Sequence, residues 1–193
     1  MRIGLVGVGA VGSILGAHLA RRYGEAGLRL ARIARGEDNR PVKPKRDRKS
    51  VSAETTFEDD VSDPQALKDR LWPLCVKVAD RMKAEATAGR VATLKLKTDR
   101  FKTLTRRRTL NQPAQLADTL YRTCAELIDT EPAGVRYRLI GAGYSVLEPA
   151  AGDAGDLLDP DALKRAAAER AMDEAREKFG GSAVIKGRML KRD

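Results

Sequence analysis

The chain has 193 residues, with 37 Lys and Arg against 27 Asp and Glu, for a formal charge of +10. A hydrophobic content of 42% is enough for a core and excludes a disordered basic tail. The longest apolar stretch, residues 3–20, is broken by glycines and by His18 and lacks the flanks of a secretory signal, so neither a membrane span nor export is expected. Two cysteines, Cys75 and Cys124, have no metal-ligand spacing, which leaves a reducing, cytoplasmic setting without a structural metal.

In chain order, the start carries Gly7-x-Gly9-x-x-Gly12 after an apolar run. That is the dinucleotide fingerprint: a tight turn, a close approach to pyrophosphate and a helix N-terminus behind it. Met1–Gly16 resembles the opening of a ketopantoate-reductase-type enzyme. An NAD(P)-binding oxidoreductase fragment using Gly7, Gly9 and Gly12 is therefore one reading, although the βα units such a fold needs do not follow. His18, the only histidine, has no nucleophile placed beside it and reads as a helix residue.

Residues 36–49, with two prolines and many charges, have the composition of an extended linker. Val51, Ala53 and Thr55 then alternate with Ser50, Ser52 and Glu54, the period of a strand. Asp63-Pro64 starts a helix with Leu67, Leu71, Leu74, Cys75, Val78 and Met82 on one face, and Pro73 is expected to divide it into two coaxial pieces or bend it near Trp72. Ala88-Gly89-Arg90 reads as a turn. Beyond it Ala92, Leu94 and Leu96 alternate with Thr93, Lys95 and Lys97 in a strand with a basic outer face, joined by a short hairpin to residues 101–110. A second helix opens at Pro113, with Leu116, Leu120, Cys124 and Leu127 on its apolar face. A last strand over 135–147 sets Val135, Tyr137 and Leu139 against Arg136, Arg138 and Ile140. A spacer follows, then a helix capped by Asp159 with a weak apolar face at Leu163, Ala167, Ala171, Ala175 and Phe179, expected to dock loosely.

This order, strand, helix, strand, strand, helix, strand, predicts an α+β fold: a βαββαβ four-stranded sheet covered by two helices, with further helices flanking it. Charge is concentrated in two segments. Arg35–Lys49 holds seven bases and three acids, and Arg90–Arg108 holds eight bases and one acid, so the rest of the chain is close to neutral. The uncovered sheet face is left with Lys95, Lys97 and some of Arg106, Arg107, Arg108, Arg136 and Arg138. With only 4% aromatics, phosphate contact is a better reading of that face than base stacking.

Residues 34–57, 91–110 and 135–147 resemble, in order and spacing, the C-terminal part of Y-family translesion DNA polymerases of the polymerase IV type. The resemblance implies a last thumb helix within 1–35, a basic tether at 36–48, a little-finger domain at 49–147 and a helical tail at 148–193. It implies non-sequence-specific binding of primer-template DNA during damage bypass, through Lys49, Ser50, Ser52, Lys95, Lys97, Thr105, Arg106, Arg107 and Arg108. The catalytic carboxylates and their Mg2+ would belong to a palm preceding residue 1, so no catalytic residue is expected here. The resemblance makes the start equally a thumb remnant. A sliding-clamp contact falls, at best, on Leu157 and Leu158, since the family's glutamine-containing motif is missing from the tail. A protein-interaction module acting through the tail is a further alternative.

Overall fold

A computed structural model describes residues 10–37, 41, 48–152 and 159–187, the first six of these by backbone alone. The chain divides into two units, Met1–Arg46 and Asp47–Asp193. Gly7 and Gly9 lie outside the described residues, as do Leu157 and Leu158; Gly12 falls within a helix.

In the first unit, helix α1 (Ala10–Ala34) is interrupted at Gly24, whose φ of 55° and ψ of −132° no helix allows. A Cβ on Gly16 would meet Ala31 Cβ at 3.3 Å, and one on Gly27 would overlap the Leu19 carbonyl. In one straight helix residues 16 and 31 would stand about 22 Å apart. The single thumb-like helix expected here is thus two short helices folded against each other at glycine contacts. His18 is an exposed residue of the first of them.

The second unit has β1 (Ser50–Val61), α2 (Pro64–Ala84), β2 (Thr87–Thr98), β3 (Thr103–Ala114), α3 (Ala117–Asp129), β4 (Tyr137–Pro149) and α4 (Ala162–Phe179). The sheet order is β1-β4-β2-β3, with every neighbouring pair antiparallel. Each of α2 and α3 therefore links two parallel strands with a strand of the other half between them. The α+β fold and the βαββαβ order are as the sequence implied.

Both helices bury the faces their spacing marks out. Leu67, Leu71, Leu74, Cys75, Val78 and Met82 of α2 are buried, as are Leu120, Cys124 and Leu127 of α3. They pack on Val51, Ala92, Leu94, Leu96, Ile140, Ala142 and Tyr144 from the sheet. Neither cysteine is in a disulfide and both are fully buried, and burial pushes the Cys124 thiol up to about 12, so it behaves as a small apolar group. Asp63 caps α2 by accepting from the Gln65 and Ala66 N–H groups at 3.3 and 2.9 Å.

Several expectations are corrected. Pro73 sits inside α2 without dividing it, at the cost of one backbone hydrogen bond. The turn before β2 is at Glu85-Ala86, where Ala86 has a φ of 47°, and Ala88-Gly89-Arg90 is already strand. Strand β3 runs on to Ala114, so α3 starts later than Pro113. In β4 the register shifts between Lys97 and Thr98 of β2, so that Lys97 faces Leu139 and Thr98 faces Tyr137. This bulge at Arg138 puts Tyr137 and Ile140 on the same buried side, where simple alternation would separate them.

Helix α4 differs most. Its expected apolar residues Leu163 and Phe179 are exposed, and the buried ones are Ala166 and Glu169. Glu169 accepts from the backbone N–H groups of Ala117 and Asp118 at 2.9 and 3.0 Å, so α4 caps the N-terminus of α3 in place of the local residue Leu116, which makes no such bond. Lys83 of α2 donates to the same carboxylate at 2.7 Å. Lys186, beyond α4, reaches Asp118 at 3.0 Å and lies 4.1 Å from the centre of the Trp72 ring. Asp159, expected as a side-chain cap, instead pairs with Arg165. The docking is polar and specific, not loose.

Gly143 lies at the centre of the sheet, where a Cβ would stand 2.6 Å from both the Val51 carbonyl and Ser52 Cβ of β1. Replacing Gly143 by alanine must push β1 away from β4. The expected loss is about 1–3 kcal/mol of unfolding free energy in urea denaturation.

Candidate nucleic-acid interface

Helices α2 and α3 cover one face of the sheet, and the register decides which strand residues share the other. Across the sheet, Ser52, Gly143, Thr93 and Arg107 form one row, and Glu54, Gly141, Lys95 and Thr105 the next. Thr56, Leu139, Lys97 and Thr103 form a third. All three belong to the open face, because the rows between them hold the buried Ala92, Leu94, Leu96, Ile140, Ala142 and Tyr144. With Gly141 and Gly143 in the middle, the face is dished into a concavity of about 760 Å³, lined among others by Ser52, Thr93, Lys95 and Arg107. Lys49 and Ser50 sit exposed at its edge, where β1 begins.

The three consecutive arginines of β3 divide by the same rule. Arg107 is on the open face opposite Thr93 and, among the described residues, has no carboxylate partner. Arg106 and Arg108 stand opposite Leu94 and Ala92, on the helix side. Arg106 Nε meets Glu131 Oε1 at 2.8 Å, and the Glu131 side chain is only 4% exposed. Tyr137 donates to the other oxygen of Glu131 at 3.2 Å; burial, reinforced by Glu131, pushes its phenol up to about 12 and keeps it neutral. Arg108 pairs with Glu126 of α3. These two arginines are thus paired with carboxylates on the helix side and do not share the open face with the other expected residues.

On the open face itself Lys95 is partly neutralised by Glu54, 2.7 Å away. Arg48, just before β1, pairs with Glu85. Lys97 and Arg138 have no carboxylate partner among the described residues; both lie on the ring of Phe101 instead. The resulting surface carries a net positive strip running from Lys49 past Arg107 and Lys95 to Lys97. From the level of Val91 to Lys97 is six residues of β2, about 20 Å. Glu54 is the participant that sequence reasoning did not single out, although its alternation with Ser52 signalled it. Arg138 was among the arginines of which some were expected on this face, and its place there depends on the bulge.

The acidic residues among those described do not fit a pair of Mg2+ ions. Asp63 is used as a cap, Asp159 pairs with Arg165, and among the described residues no three His, Cys, Asp or Glu side chains converge as a metal site requires. Nor is any described helix long and apolar enough to cross a membrane.

Fold and site together define a βαββαβ domain with a basic, dished open sheet face. The impB/mucB/samB family C-terminal domain matches residues 48–157, and the chain belongs to that family, of which this is the Y-family polymerase little finger. The chain is 48% identical over 189 residues to the DNA polymerase IV of Caulobacter vibrioides, covering 96% of this chain and 47% of that protein. Similarity to the DNA polymerase IV of Brucella melitensis is 49% over 170 residues, covering 88% and 38%. For DNA polymerase IV 1 of Mesorhizobium japonicum it is 44% over 187 residues, covering 96% and 43%. The chain thus spans less than half the length of these relatives. Among solved structures, a Y-family DNA polymerase chimera aligns with a TM-score of 0.49 at 17% identity, over 71% of this chain and 40% of that one.

Proposed function

We propose that the open sheet face holds primer-template DNA by its backbone phosphates, as the little finger of a cytoplasmic translesion polymerase acting in damage bypass. The observation that carries this reading is the division of the cations. Arg107, Lys97 and Arg138 stand on the open face without carboxylates among the described residues, while Arg106 and Arg108 are paired on the other side. Unpaired cations over about 20 Å of concave surface match a polyanion of regular charge spacing. Ser52 and Thr105 add hydroxyls, and neither hydroxyls nor Lys and Arg used this way read base identity. A surface that tracks phosphates tolerates altered bases, which is what damage bypass asks of it.

The rival nucleotide reading has no such support: Gly12 lies within α1, and the chain continues as a βαββαβ domain. A clamp contact at Leu157 and Leu158 falls outside the described residues.

Fluorescence anisotropy on a primer-template duplex tests the proposal. Four cations, Lys49, Lys97, Arg107 and Arg138, engaging three to four phosphates between them, give a slope of about −2.7 to −3.6 in log affinity against log salt. Affinity should then fall by roughly two orders of magnitude between 50 and 200 mM salt. A slope near zero, or no binding at 50 mM, defeats the proposal.

A further inference from the structure

At the end of the open face farthest from Ser50, β2 and β3 are joined through Phe101, which has a φ of 62° and is 62% exposed. A bulky residue in the left-handed region is strained, and such strain persists where something else depends on it. The turn itself does not depend on the ring. It is closed by the Phe101 N–H donating to the Thr98 carbonyl at 2.9 Å, and by the Thr98 N–H donating to the Lys102 carbonyl at 2.9 Å. Glycine would serve both bonds better. Nor does the ring join the core.

What the ring does touch is charge. Arg138 Cζ lies 4.1 Å and Lys97 Nζ 5.1 Å from its centre. Asp99, the acid nearest in sequence, is taken up by Arg136 at 3.4 Å and by the Arg100 N–H at 2.8 Å. Two like charges are therefore gathered on one aromatic ring with no anion, among the described residues, to balance them. The bulge that turns β4 at Arg138 and the left-handed turn at Phe101 are separate irregularities, and both serve this meeting.

We propose that Phe101 is a positioning residue whose ring gathers Lys97 and Arg138 into a clasp for one DNA backbone phosphate at the hairpin end of the interface. The clasp rests on the reading of the open face as a duplex-binding surface. Lys97 is four residues along β2 from the level of Arg107, about 13 Å, which one DNA strand covers in about four phosphates. The clasp thus extends the footprint beyond the centre of the face.

The test uses the full chain and the same duplex, with Phe101→Gly and Phe101→Tyr. Glycine suits the turn, so the fold is expected to keep or gain thermal stability. Binding by Phe101→Gly should weaken about threefold to tenfold at 0.1 M salt, with a salt slope shallower by about 1. Phe101→Tyr, which keeps the ring, should retain the wild-type slope. The clasp is refuted if Phe101→Gly binds with wild-type affinity and slope while Arg107→Ala loses both, or if the tyrosine variant loses as much as glycine. Failure of the wild type to bind duplex at 50 mM salt instead removes the underlying reading, and the clasp with it.

Discussion

Replacing Glu169 by alanine is expected to lower the midpoint of thermal unfolding by about 6–12 °C. The side chain is 6% exposed and serves three donors at once: two backbone N–H groups at the start of α3 and the ammonium of Lys83. Removing it orphans both N–H groups and leaves Lys83, itself largely buried, with Asp173 as its remaining acid. Breaking a buried, hydrogen-bonded pair costs about 3 kcal/mol, and in a chain of this size each kcal/mol shifts the midpoint by about 2–4 °C. Glu169→Gln keeps the shape and one acceptor and should fall in between. Calorimetry distinguishes this from a merely tethered helix: if Glu169→Ala unfolds with the wild type, α4 contributes nothing to the domain. Alkaline titration gives a second reading. Burial disfavours the Lys83 charge, but hydrogen bonds to Asp173 and Glu169 more than offset it and hold its pKa above the usual 10.5. The stability from this pair is fully present below that ordinary value and is lost as the pH rises through the folded one. The gap between wild type and Glu169→Ala should therefore narrow above pH ~10.5.

The second large effect separates arginines that are adjacent in sequence. Arg107→Glu removes one phosphate contact and sets a carboxylate in the middle of the interface. Duplex affinity at 0.1 M salt should fall by tenfold or more, and the salt slope should become shallower by about 2. Unfolding should be unchanged, since Arg107 supports nothing else among the described residues. Arg106→Ala should do the opposite. It leaves the Glu131 carboxylate almost fully buried with only the Tyr137 hydroxyl, costing about 2 kcal/mol of stability, while the slope for the folded protein stays as it was. Equal loss of binding in the two variants would mean that the face is not what binds DNA.

Alternation along β3 was legible in the sequence, and it already places Arg107 opposite to Arg106 and Arg108. Grouping the three as one basic patch overlooked that a strand cannot present consecutive side chains to one surface. The side with Arg107 could not be named open from β3 alone, because the burial belongs to Leu94 and Ala92 of its neighbour. The meeting of Arg138 with Phe101 was less accessible still. It requires a bulge in one strand and a left-handed turn between two others, and neither leaves a periodic signal. The docking of α4 misled for a related reason. Its alanines suggested a weak apolar stripe, but the buried residue that fixes the helix is a glutamate, whose partners are backbone groups without sequence identity.

By itself the sequence determined what depends on local spacing. The apolar faces of α2 and α3, the alternation of the strands, the βαββαβ order and the two basic segments all follow from which residues recur at 3.6 or at 2. The tertiary structure alone decided which strands are central, which cations are neutralised and which remain free, and which buried carboxylate holds the last helix. These are outcomes of pairing between segments dozens of residues apart, where burial and charge balance are set by the neighbour across the sheet and not by the neighbour along the chain.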